Sequence, residues 1–182
     1  MIETERLILR PWKEKDKEVF ARLNADVQVM RYFPNILSRE ESDAQVEWFD
    51  NHMTKYDYCM WAVEEKETGA FTGFVGLNNV GHDLPFTPAV EIGWRLSSAY
   101  WGKGYATEAA HASLQDGFDR VGLGQIVAYT AQANLPSIAV MKRLGMTLDE
   151  DGGFLHPELP EDHVLRPHVL YRLNREDYVF KS

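Results

Sequence analysis

The run Trp101-Gly102-Lys103-Gly104-Tyr105-Ala106-Thr107-Glu108 puts two glycines and an alanine where a strand-like stretch, 90–96, gives way to a helix-like stretch ending near Val121. Small residues there let a ligand reach the backbone. The first N–H groups of a helix have no intrahelical acceptor, and the helix dipole adds partial positive charge at the same end. The unit is therefore an anion site suited to a phosphate or pyrophosphate. It is not a Walker loop, because no Gly-Lys-Ser/Thr ends it, and a dinucleotide fingerprint would need glycine where Thr107 stands. A glycine-eased turn with no ligand is the competing reading.

Other residues with chemistry stand nearby in the chain. Glu91 has opposite side-chain parity to Ile92, so its carboxylate can face a groove. A strand glutamate paired with a cation or facing solvent is the alternative. Asn134 caps a helix to Leu144, with Pro136 in the first turn and Gly145 at the C-terminal cap. The segment 151–167 is an irregular loop with three prolines that carries His156, Glu158 and His163. The histidines lack ligand spacing, so no metal site is assigned. Cys59 reads as a semi-buried strand residue rather than a nucleophile.

These groups need a scaffold. Residues 6–10 read as a first strand stopped by Pro11. A helix over 13–24 places Val19, Phe20 and Leu23 on one face, and Asp26 caps a short turn to Met30. Ser38 and Glu41 form a capping box that opens a helix to about Tyr56, with Ala44, Trp48, Phe49 and Met53 at helical spacing. Strands over 59–65 and 71–80 flank the hairpin turn 66–69, and a loop covers 81–88. After the next strand, 89–96, comes the glycine turn and a helix with a small apolar face of Ala106, Ala109, Ala110, Leu114, Gly117 and Phe118. Strands follow at 125–131, 146–150 and 169–174. Three consecutive strands argue for antiparallel pairing, and the strand–helix–strand crossovers over 90–131 and 125–150 require some parallel pairing. The fold class is α+β: a mixed, largely antiparallel sheet of about seven strands with helices on both faces. Residues 1–182 form one domain.

Composition narrows the function. Net charge is −9, with 28 acidic against 19 basic residues, which argues against nucleic acid as a partner. It favours a cationic small molecule or basic peptide through long-range attraction, or serves only solubility. The N-terminal residues lack a signal peptide's basic and apolar regions, and no apolar run is long enough to span a membrane. One cysteine excludes an internal disulfide, which fits a cytoplasmic setting. A homodimer stands open beside a monomer.

Four segments, in order, resemble the GNAT superfamily of acyl-CoA-dependent N-acyltransferases, and within it the branch of ribosomal-protein N-terminal acetyltransferases. They are Thr4 to Pro11, Glu91-Ile92-Gly93-Trp94, Trp101 to Ala109, and Asn134-Leu135-Pro136-Ser137 with Lys142 to Met146. The resemblance implies that the strands over 89–96 and 125–131, fourth and fifth in this reading, run parallel and splay apart. The pantetheine arm of acetyl-CoA would lie in that wedge, against the backbone of Trp94 and Leu96. The pyrophosphate would sit on the turn of Gly102, Lys103, Gly104, Tyr105, Ala106 and Thr107. Asn134 and Ser137 would contact the cosubstrate. Much of the superfamily has Gln or Arg where Trp101 stands, but the branch commonly has an aromatic there. A tyrosine acid seven residues after the helix asparagine is excluded, because that position is Met141. The branch instead offers a serine, at Ser137.

Moving an acetyl group from a thioester to an amine requires a neutral amine, donors for the oxyanion and a proton for the thiolate. An alkyl amine with a pKa of roughly 10 is neutral about once in a thousand molecules at pH 7, so a base, a water chain or desolvation must supply the rest. The candidates are Glu91 as base, the Leu96 N–H as oxyanion donor and Ser137 as acid or thiolate donor. Ser137 is equally readable as a first-turn hydroxyl helping to cap the helix. His156, Glu158 and His163 are the alternative bases. Trp12, Trp48, Trp61, Phe33 and Phe49 read mostly as core, with Phe33 or Trp48 able to line an acceptor pocket. The acceptor stays open among a peptide N-terminus, a polyamine or other small cationic amine, an antibiotic and an amino acid. A larger acyl group, or a CoA-binding module without turnover, are the competing functions.

Overall fold

The computed structural model describes residues 1–81 and 83–179; position 82 of the expected 81–88 loop and positions 180–182 lie outside the described residues. The strands are β1 (Ile2–Glu3), β2 (Leu7–Arg10), β3 (Met60–Glu65), β4 (Phe71–Asn79), β5 (Val90–Leu96), β6 (Gln125–Ala131), β7 (Thr147–Leu148), β8 (Phe154–Leu155) and β9 (Pro167–Asn174). The helices are α1 (Glu14–Asn24), α2 (Val27–Met30), α3 (Arg39–Tyr56), α4 (Tyr105–Asp119) and α5 (Leu135–Arg143). One sheet runs β1-β2-β3-β4-β5-β6-β9-β7, with β8 also on β9. Among the described residues every pair is antiparallel except β5 with β6.

The sheet has nine strands rather than about seven. The additions, β1 and β8, are two residues each, too short to show alternation in a sequence. The segment expected to be wholly irregular thus contributes β8. The crossover through α4 makes the one parallel pair. The crossover through α5 does not put β7 beside β6, because β9 pairs with both: Arg172 faces Val127 on one side and Thr147 on the other.

Helix ends follow local chemistry. Ser38 Oγ accepts from the Glu41 N–H at 3.1 Å, and Glu41 returns the bond to the Ser38 N–H at 2.7 Å. Asp26 accepts from the Gln28 N–H at 2.8 Å. In α3 the buried face is Ser42, Val46, Phe49 and His52, not the expected stripe, and Ala44 and Trp48 are exposed. Two polar residues replace apolar ones because their bonds are made inside: Ser42 accepts from Asn24 Nδ2 at 2.9 Å, and His52 holds the Tyr58 carbonyl at 2.8 Å.

Two cores fill the two faces. Met60, Ala62, Phe71 and Phe74 pack with Phe20 of α1 and Val46 and Phe49 of α3. Trp61, Val63, Val75, Leu77 and Ile92 pack with Ala110, Leu114 and Phe118 of α4 and Met141 of α5. The strands alternate between these faces. A register shift after Val63 places Phe71 on the same face as Phe74 despite odd spacing. Gly117 is where α4 comes closest, since a Cβ there would lie 2.5 Å from Leu77 Cδ1. Cys59 is buried rather than semi-buried, one residue before β3, and burial pushes its thiol up to about 12. Among the described residues no helix is long and apolar enough to cross a membrane.

Candidate active site

The site begins as a gap in the sheet. β5 pairs with β4 from Asn79↔Val90 to Gly73↔Leu96, and β6 pairs with β9 from Gln125↔Asn174 to Ala131↔His168. Between β5 and β6 there is one rung, Glu91↔Val127. Beyond it the strands part.

Hydrogen-bond phase decides what β5 presents to that gap. The Val80 N–H reaches the Ala89 carbonyl at 3.0 Å, and the Ser97 N–H reaches the Thr72 carbonyl at 2.9 Å. Antiparallel bonding alternates, so Glu91, Gly93 and Arg95 also bond β4. The backbone groups of Trp94 and Leu96 point the other way, toward the gap. The Leu96 carbonyl is taken by Trp101 Nε1 at 2.8 Å. The N–H and carbonyl of Trp94 and the N–H of Leu96 are left facing the space between the strands.

The glycine turn borders the same space. Gly102 and Gly104 have φ of 75° and 81°, a region L side chains rarely adopt, and Gly104 is the N-cap of α4 without a side-chain cap. Gly102, Gly104, Tyr105, Ala106 and Thr107 line a cavity of about 1190 Å³ that also contains Trp94, Leu96, Asn134 and Ser137. Lys103 does not line it: its Nζ lies 3.7 Å from Glu65 and over the Tyr100 ring. Only the Lys103 backbone belongs to the turn, where its carbonyl accepts from Arg6 Nη1 at 2.9 Å. Arg6 and Thr4 also bind Glu108, in the first turn of α4, at 2.7 and 2.6 Å. The β1–β2 turn therefore braces the glycine turn and neutralises Glu108.

Ser137 sits across the gap from β5. Its Oγ accepts from Trp94 Nε1 at 3.3 Å and from Asn134 Nδ2 at 3.1 Å. A hydroxyl has two acceptor positions and one proton, so these bonds leave its proton as the group still to be used. The cap of α5 is Asn134, whose Oδ1 accepts from the Ser137 N–H at 3.3 Å. Thus the capping and hydroxyl functions, which the sequence left merged, are divided between the two residues.

Glu91 lines the cavity. Burial pushes its carboxyl up to about 7, against opposing hydrogen bonds from Asn78 and Tyr129. Asn78 Nδ2 lies 3.4 Å from it. A carboxyl at this value exchanges protons near neutrality. Of the alternative bases, His156 and Glu158 line the cavity, and His163 does not. His163 Nδ1 instead accepts from the Leu165 N–H at 3.1 Å. Phe33 and Trp48 both line the cavity, as do three residues the sequence reading passed over, Arg95, Tyr129 and His168. The parity that singles out Glu91 applies equally to Arg95; Tyr129 and His168 carry no comparable local signal. Among the described residues no cluster could hold a metal ion.

A family model described as the acetyltransferase (GNAT) domain matches residues 6–147. The chain belongs to the GNAT acetyltransferase family. This GNAT chain is 32% identical to the Bacillus subtilis (strain 168) protein YkkB over 79% of its own length and 83% of that protein's. A solved GNAT-family acetyltransferase from Bacillus anthracis is 28% identical, with a TM-score of 0.77 over 96% of this chain and 98% of that one. The ribosomal L7/L12 alpha-N-protein acetyltransferase RimL, solved in complex with coenzyme A, is 19% identical, with a TM-score of 0.76 over 94% of this chain and 95% of that one, a likeness of fold. The GNAT chain is accordingly an acetyl-CoA-dependent N-acetyltransferase. Its gap, open β5 backbone and positive-φ turn are chemically matched to the pantetheine and pyrophosphate of that substrate.

Proposed function

We propose that acetyl-CoA lies along β5 with its pantetheine amides on the backbone of Trp94 and Leu96. Its pyrophosphate rests on the N–H groups of the turn from Gly102 to Thr107. An amine acceptor enters from the end lined by Phe33 and Trp48 and attacks the thioester directly, within a ternary complex. The N–C bond forms as the C–S bond breaks. Glu91 takes the amine proton, the Leu96 N–H polarises the carbonyl, and the Ser137 hydroxyl donates to the departing sulfur.

The observation that carries this reading is the single β5–β6 rung combined with the outward phase of Trp94 and Leu96. A sheet does not leave strand backbone unpaired in its interior without something to take the bonds. RimL is a ribosomal L7/L12 alpha-N-protein acetyltransferase. The acceptor here is accordingly a peptide N-terminus or a small amine. Release of free CoA from acetyl-CoA across a panel of peptides, polyamines and amino acids tests the proposal. A rise in melting temperature with acetyl-CoA but no release with any amine would instead favour a CoA-binding module. Faster release from a longer acyl-CoA would make a larger acyl group the one transferred.

A further inference from the structure

Arg95 is a buried cation without a counter-ion. It is 8% exposed. Its Nη1 donates to two neutral amides, Asn24 Oδ1 at 2.7 Å and Gln45 Oε1 at 3.3 Å. Its Nε is sealed from solvent with no partner. Among the described residues no carboxylate forms an ion pair with it. Burial lowers its pKa to about 10, and no neighbouring acid offsets that. The guanidinium carbon stands 4.2 Å from the Phe33 ring centroid and 5.3 Å from that of Phe74.

Arg10 shows how this fold treats a buried arginine whose role is structural. It is 4% exposed, and both Asp16 and Glu64 approach it to 2.7 Å. Arg95 has received no such partner, although Asn24 occupies the place where one acid would suffice. An arginine held rigidly by amides, with an unmatched charge, is built to receive an anion from outside the chain.

Its position says which molecule brings the anion. Arg95 and Glu91 lie on one face of β5, both lining the cavity, with Gly93 between them. Met60 fills the space over Gly93, since its Cε would lie 2.8 Å from a Cβ there, so no side chain of β5 itself stands between the two. Strand rise of about 3.3 Å per residue puts roughly 13 Å between the Glu91 and Arg95 Cα atoms. We propose that the acceptor is an amino acid-like molecule whose carboxylate pairs with Arg95 while its amine faces Glu91, several bonds away. With Nη1 held by Asn24 and Gln45 and Nε sealed from solvent, Nη2 is the donor left for the carboxylate, in a charge-assisted hydrogen bond. The placement of the amine rests on the acetyl-transfer reading above; the carboxylate subsite does not.

The test uses products as probes, so that binding does not depend on turnover. N-acetylated straight-chain amino acids from N-acetylglycine to 6-acetamidohexanoate, and their primary amides, are titrated into the CoA-loaded protein by calorimetry. At least one acid should bind about tenfold tighter than its amide, the discrimination of a charge-assisted pair. Asn24→Asp supplies an internal counter-ion at Nη1 and should erase that preference while the melting-temperature rise with acetyl-CoA persists. Arg95→Gln should erase it too. Equal binding of acid and amide throughout the series would overturn the subsite, as would a preference surviving both variants. CoA release with the free amino acids is measured alongside. Acid-selective binding without release supports the subsite and counts against acetyl transfer. Release with no acid preference does the reverse.

Discussion

The indole N–H of Trp94 donates to the Ser137 hydroxyl at 3.3 Å, joining β5 to the first turn of α5 across the gap in the sheet. With Asn134 Nδ2 on the same oxygen at 3.1 Å, the hydroxyl is saturated as an acceptor and is directed to act as a donor. This is the arrangement a leaving thiolate requires.

Ser137→Ala should therefore lower kcat by about ten- to a hundredfold, the worth of a hydrogen bond to a charged group. KM for acetyl-CoA should change little, because the contact strengthens only as charge develops on sulfur. Steady-state kinetics with any accepted amine give the answer. An unchanged kcat would reduce Ser137 to a structural link between Trp94 and Asn134.

Glu91 should leave two pH signatures. In the parent, kcat/KM should rise through about pH 7 as the carboxyl ionises. Glu91→Gln should lose that inflection, fall about a hundredfold at neutral pH and recover partly as the amine deprotonates by itself. The stability sign follows from a folded value of about 7 above the ordinary 4.5. The folded state holds the proton between those values, so stability present below 4.5 is lost as pH rises through 7. The Gln variant should gain more in melting temperature over the parent at pH 8 than at pH 5. A pH–rate profile identical to the parent's would move the base to His156, Glu158 or water.

Gly104→Val tests the turn. At φ 81° a β-branched residue is strained, and its Cβ would lie 3.5 Å from Arg6 Nη2, beside the backbone on which the pyrophosphate is proposed to rest. The expected outcome is a modestly less stable protein whose affinity for acetyl-CoA falls at least about tenfold, read by calorimetry. Desulfo-CoA should lose affinity in parallel, since the phosphates and pantetheine are common to both. A folded variant with parental affinity would place the pyrophosphate elsewhere.

The sequence by itself determined what neighbouring residues decide among themselves. The Ser38–Glu41 box, the Asp26 and Asn134 caps, the glycine turn before α4 and its small apolar face are all local, within four residues or one periodicity, and all form as read. Parity along one strand was enough to turn Glu91 toward a groove. The α3 face was misread because Ser42 and His52 are buried by bonds to Asn24 and Tyr58, which no hydropathy pattern records.

What only the tertiary structure decided is how distant segments meet. The gap exists because β5 and β6 share one rung while each is fully paired on its other edge. Trp94, 43 residues earlier, fills one acceptor position of the Ser137 hydroxyl and leaves its proton to be donated. His156 reaches the cavity and His163 does not, although both lie in one loop. Arg95 looks like any strand arginine until Asn24, 71 residues away, is found where an acid would have stood. Spacing reports which way a side chain points. Charge balance, hydrogen-bond saturation and strand divergence depend on partners that only folding brings within a few ångströms.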